Sequence, residues 1–128
     1  MTHSTAALVS EQEDGSLTVH RMMEIASKDL SAVRKAHQKY LGSLKKKGAY
    51  DDSYQEQSFS NYEAFSKSAY GKLNLFAQHD KNKEVIVLKF RSEEDAQAFI
   101  KQLQSQGVQC KIIDQASLKD NQTATPRR

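Results

Sequence analysis

Leu17-Thr18-Val19-His20-Arg21-Met22-Met23-Glu24-Ile25-Ala26-Ser27 is the stretch whose reading decides the fold. Continued to residue 44, the positions Val19, Met23, Ala26, Leu30, Val33, His37, Tyr40 and Leu44 recur in alternating steps of four and three. That spacing describes a helical seam, and Met22, Ala36 and Leu41 widen it. The same stretch also supports a strand over 17–25, because Leu17, Val19, Met23 and Ile25 hold alternate positions, with Ser27 then capping a shorter helix over 28–47. Met22, Met23, Glu24 and Ala26 favour helix on propensity, so the long helix is the expectation. Its end is well marked: Lys45, Lys46 and Lys47 stand at the negative end of the helix dipole, and Gly48 supplies a left-handed C-cap.

Toward the N-terminus, residues 1–15 are rich in Ser, Thr, Gln and acids and show neither helical nor strand periodicity, which predicts a mobile tail. Residues 115–128, which hold the sole proline, are read the same way, leaving one folded domain over 16–114. Within that body, 49–58 reads as a polar connection, and Phe59, Tyr62, Phe65 and Ala69 follow at helical spacing. A short helix over about 60–70, capped by Ser58 or Ser60 and ended by Gly71, is expected there. Leu73, Leu75 and Ala77 alternate with Asn74, Phe76 and Gln78, and across a polar turn Val85-Ile86-Val87-Leu88-Lys89-Phe90 is rich in β-formers, which predicts a hairpin. Ser92-Glu93-Glu94-Asp95 has the form of a helix start, with Ala96, Phe99, Ile100 and Leu103 as the apolar stripe down to Gly107. Val108, Cys110 and Ile112 then alternate along a last strand.

The fold class expected is therefore α+β: a long N-terminal amphipathic helix and a short helix packed with a three-stranded sheet in the order β-β-α-β. If 17–25 is a strand, the sheet becomes four-stranded and ferredoxin-like.

The chain has 128 residues, a formal net charge of +3, 38% hydrophobic residues and one cysteine. Its length suits one ordinary domain, and its hydrophobic content is enough for a small core. The lone cysteine excludes a disulfide framework, an iron–sulfur cluster and a multi-cysteine zinc site, and fits a reducing, cytoplasmic setting. No apolar run approaches the ~20 residues of a membrane span, so no membrane partner is expected. The five glycines are isolated, so the phosphate-cradling Rossmann and P-loop patterns are missing, as is the G-x-S-x-G elbow. None of the four histidines has a second metal ligand at zinc spacing beyond His20 and Glu24, which read as a surface pair. Cys110 reads as a small core hydrophobe rather than a nucleophile. Asp51, Asp52 and Glu56 read as solvated loop acids, and Glu93, Glu94 and Asp95 as helix-start charges. No catalytic, cofactor-binding or metal-ligating residue is assigned.

What remains are surfaces, and surfaces imply a partner. The expectation is a small non-catalytic protein-binding module, an inhibitor or regulator of a partner enzyme, which self-associates as a homodimer. Tyr50, Tyr54, Phe59, Tyr62 and Phe65 hold five of the ten aromatics and form the expected partner patch. Met23, Leu30, Val33, Tyr40 and Leu44 form the expected dimer seam. The alternative is a nucleic-acid-binding regulator using Arg34, Lys35, Lys39, Lys45, Lys46 and Lys47 on the basic helix. His37, on the seam, is read as packing, with a pH-sensitive interface as the sharper possibility.

Overall fold

In the computed structural model, residues 3–68 and 84–113 are described. Their elements are β1 (His3–Glu11), β2 (Leu17–Ala26), α1 (Leu30–Lys46), β3 (Gln57–Phe59), α2 (Tyr62–Ser66), β4 (Val85–Lys89), α3 (Glu93–Ser105) and β5 (Lys111–Ile112). They make an α+β arrangement around one five-stranded mixed sheet of order β3-β4-β1-β2-β5.

The first correction concerns the N-terminus. Residues 3–11, read from the sequence as tail, are the middle strand, antiparallel to β2 and parallel to β4. Every residue from Ser4 to Ser10 is buried, with Ala6 and Leu8 facing one apolar cluster and Ala7 and Val9 the other. A strand covered on both faces has no polar side, so the alternation that reveals a strand in sequence is missing. Two of its polar residues are absorbed by side-chain bonds: Ser10 Oγ donates to the Phe90 carbonyl at 2.7 Å, and Ser4 Oγ donates to Glu84 at 3.2 Å, while the buried Thr5 Oγ1 has no partner among the described residues. The turn into β2 is set by Asp14, whose carboxylate accepts from Ser16 N and Oγ, and by Gly15 at φ +87°, where a side chain would be strained.

The second correction concerns the long helix. Residues 17–26 are strand β2, and α1 begins only at Leu30 after a single 3₁₀ turn over Ser27–Asp29. Met22 and Met23 are both buried, on opposite faces of the sheet, which a strand accomplishes with adjacent residues and a helix does not. The strand alternative over 17–25 thus describes this stretch, although no side-chain cap bond opens α1. The end of α1 follows expectation: Gly48 sits at φ +71°, and Ala49 N–H returns to the Leu44 carbonyl at 2.9 Å.

Further along, β3 overlaps the end of what reads as a polar connection, pairing antiparallel with β4. The cap of α2 is Asn61, whose side chain accepts from Ala64 N, rather than Ser58 or Ser60. The expected strand around Leu73, Leu75 and Ala77 lies outside the described residues. Strand β4 and helix α3 match their expectations, and Ser92 Oγ accepts from Asp95 N at 3.1 Å. The last strand is short, pairing with β2 at Met23 and Glu24.

Two long crossovers, β2-α1-β3 and β4-α3-β5, run in opposite directions across the sheet. The usual right-handed sense places both helices on the same face. There α1 and α3 pack side by side over Leu8, Met23, Ile25, Ile86, Leu88 and Phe90. The opposite face is packed by Phe65 of α2 with Phe59 and Tyr62 against Ala7, Val9, Met22, Val85 and Val87.

Candidate protein-binding groove

Because α1 and α3 lie next to each other on the sheet, their outer surfaces meet in a valley. Along it runs an open groove of about 360 Å³, lined by Lys39, Tyr40 and Ser43 from α1, by Lys47 at its C-cap, and by Asp95, Ala98, Phe99 and Gln102 from α3. The spacings 39, 43, 47 and 95, 98, 102 are those of single helix faces. The wall from α1 is cationic, the floor is the edge of Phe99 and Tyr40, and the α3 wall is mainly small and neutral beyond Asp95. A second depression on α3, lined by Glu93, Glu94, Gln97, Ala98 and Lys101, adjoins it at Ala98.

The groove is held open by a bond between its walls. Tyr40 Oη donates to Asp95 Oδ2 at 2.7 Å and accepts from Arg91 N at 2.9 Å, tying α1 to the start of α3. Burial, with the Asp95 carboxylate adding to it, pushes the Tyr40 phenol well above its ordinary range, so it remains a donor.

Of the six cations proposed for nucleic acid, the structure engages two. Arg34 pairs with Glu56 at 2.9 Å and Glu84 at 3.4 Å, and Lys45 lies over the Tyr50 ring at 4.8 Å. Lys35, Lys39, Lys46 and Lys47 are exposed and carry no ion pair among the described residues. Lys35, Lys39 and Lys46, spaced by four and seven, share one stripe of α1.

The five aromatics proposed as a partner patch are dispersed. Phe65 is fully buried, and Phe59 and Tyr62 pack half-buried against it with ring centroids 5.6 and 5.8 Å away. Tyr50 and Tyr54 instead each receive a lysine ammonium on their ring. The five residues proposed as a dimer seam are divided as well. Met23, Leu30, Val33 and Leu44 are buried inside this chain, and only Tyr40 reaches the surface, as groove floor.

Sequence reasoning passed over several buried polar groups. Lys89 is 7% exposed, and its ammonium donates to Glu11 and to Ser53 Oγ, each at 2.6 Å, with the Tyr54 ring beside it. Glu11→Ala leaves that ammonium without its carboxylate, and a loss of about 2 kcal/mol in urea unfolding is expected. An unchanged midpoint would mean that the ammonium rehydrates freely. Ser10 and His20 stand 2.7 Å apart, yet the Ser10 proton goes to the Phe90 carbonyl, so His20 Nε2 donates to Ser10 Oγ. This is the reverse of a base activating a serine nucleophile. Burial also raises the Cys110 thiol, with the Asp29 carboxylate adding to it, which keeps the sulfur protonated near neutrality.

His37 is fully buried beside Phe90 and Phe99, with Nε2 donating to the Lys89 carbonyl at 3.2 Å and Nδ1 without a partner among the described residues. Desolvation pushes its pKa below the ordinary histidine value, and the Lys89 carbonyl and Glu56 only partly offset this. The folded state thus holds His37 neutral while the unfolded chain binds a proton near pH 6.5. Stability is expected to be complete above about pH 7 and to fall as the pH drops below about 6.5. Thermal midpoints from pH 8 to 5 test this, and His37→Gln should flatten the decline. His20, also lowered by burial, contributes in the same direction.

Among the described residues no cluster of side chains has the makeup of a metal site, and no helix is long and apolar enough to cross a membrane. Comparisons with protein-family models, with curated proteins and with solved structures find no match.

Proposed function

We propose that this chain is a non-catalytic protein-binding module, of the kind that regulates or inhibits a partner enzyme, and that the α1–α3 groove is its contact surface. The observation that carries this reading is the groove itself: a concave strip with an aromatic floor and a wall whose lysines carry no ion pair among the described residues. Interfaces gather their binding energy where a bulky side chain enters such a hollow and water is excluded around it. Lys89 and Ser10, buried away from the groove, are engaged in internal bonds.

The test is site-directed crosslinking in an extract of the native source. A photoactivatable group on Ser43→Cys, with Cys110 replaced by serine, should give one discrete adduct. The same group on Ser105→Cys, an exposed position on the last turn of α3, should not. Equal labelling from both positions, or none from either, counts against the groove.

The nucleic-acid reading draws on the same four lysines, but Glu93, Glu94 and Asp95 lie across the helical layer and would repel a phosphate backbone. Retardation of DNA or RNA in a gel at low salt, collapsing toward physiological salt, would favour that reading instead.

A further inference from the structure

Resting on the protein-binding reading, we infer that the groove takes an acidic peptide segment carrying one bulky apolar side chain, with the acidic residues aligned along α1. Three features of the site define this occupant. The floor formed by Phe99 and Tyr40 is apolar, and about 360 Å³ of open space has room for a single large side chain rather than a whole helix. The α1 wall presents Lys39 and Lys47 inside the groove, with Lys35 and Lys46 on its flank, and none of the four has an ion-pair partner among the described residues. The opposite wall is not a second cationic surface. Asp95 is tied to Tyr40 Oη, and Glu93 and Glu94 outnumber the single Lys101 in the neighbouring depression.

The charge therefore changes sign across the groove, positive on α1 and negative at the start of α3. A polyanion with charge on all sides meets repulsion on the α3 side. A peptide with carboxylates on one edge meets attraction on α1 and places neutral or basic residues over Glu93 and Glu94. This polarity fixes the direction in which a segment lies and selects a peptide over a nucleic acid.

The experiment is selection of a random twelve-residue peptide display library on the intact protein in 50 mM salt, with a parallel round on the Ser43→Trp protein. Binders retained by the wild-type chain but not by Ser43→Trp, which fills the groove, are sequenced, and a synthetic copy of the most enriched one is titrated by fluorescence anisotropy. The expected result is enrichment of Asp and Glu on one side of a Phe, Leu or Trp. Lys39→Glu with Lys47→Glu should then weaken binding by about tenfold or more, with Lys39→Gln intermediate, and salt should reduce affinity in the wild type. Both lysines are exposed, and circular dichroism verifies that the variants fold. Groove-dependent peptides without acidic enrichment overturn this occupant and leave the protein-binding reading standing. A library that yields no groove-dependent binder overturns both, and tighter binding of duplex DNA or RNA lost in the same double variant overturns both in favour of nucleic acid.

Discussion

Leu8→Asp is expected to abolish folding. Leu8 is fully buried at the midpoint of β1, paired with Arg21 of β2 on one side and Leu88 of β4 on the other, and it packs beneath the helical layer. An aspartate there removes the apolar contacts, which alone are worth about 3 kcal/mol, and it buries a carboxyl in the apolar layer beneath the helices, which costs several more that Arg21 on the neighbouring strand offsets only in part. A domain of this size has a total stability of about 5–15 kcal/mol, so the two losses together leave little or no native state. Deleting residues 1–11 should have the same result, because β2 and β4 are joined only through β1. Far-UV circular dichroism and urea titration read both outcomes. Glu13→Ala, in the exposed turn beside β1, is the matched control and should unfold with the wild-type midpoint. A cooperative transition in the Leu8→Asp chain would show that β1 is dispensable to the sheet.

Leu30→Glu combined with Leu44→Glu should likewise unfold the protein rather than separate a dimer into folded monomers. Leu30 and Leu44 are 8% and 1% exposed at the two ends of α1, so each glutamate would sit in the interior. Burying two unpaired carboxyls and losing two leucine contacts is expected to cost well over 5 kcal/mol. Light scattering together with circular dichroism separates the outcomes. A folded monomer would restore the seam as an interface. An unfolded chain places its residues in the core of a single molecule.

How much of this was legible in advance depended on whether an element has a solvent side. Helix α3 was readable because its acids, its Ser92 cap and its apolar stripe all stand on one amphipathic cylinder half in water. The end of α1 was readable through its lysines and Gly48 for the same reason. Strand β1 has no wet face, so Thr5-Ala6-Ala7-Leu8-Val9 carries no period. In β2 the steps from Val19 to Met23 and Ala26 mimic a helix seam because both faces of the strand are covered, Val19 and Met22 on one cluster and Met23 and Ile25 on the other. The register shift opposite Leu8 and Val9 also breaks the regular alternation between Val19 and Met23. The groove was half legible: the lysines of α1 were singled out, but Asp95, Ala98 and Gln102 gain meaning only once α3 is known to lie beside α1.

By itself, then, the sequence determined the α+β class, the position and cap of α3, the β4 strand and the C-terminal stop of α1. These follow from local chemistry: capping bonds, helix-end charges and β-branched side chains act over a few residues. Only the tertiary structure decided that residues 3–11 are the central strand and that 17–26 extend rather than coil. Pairing with β1 and burial on both faces outweigh propensities worth a few tenths of a kcal/mol per residue. It likewise decided which cations of α1 are ion-paired among the described residues, because Arg34 found Glu56 and Glu84, residues 22 and 50 positions away in the chain.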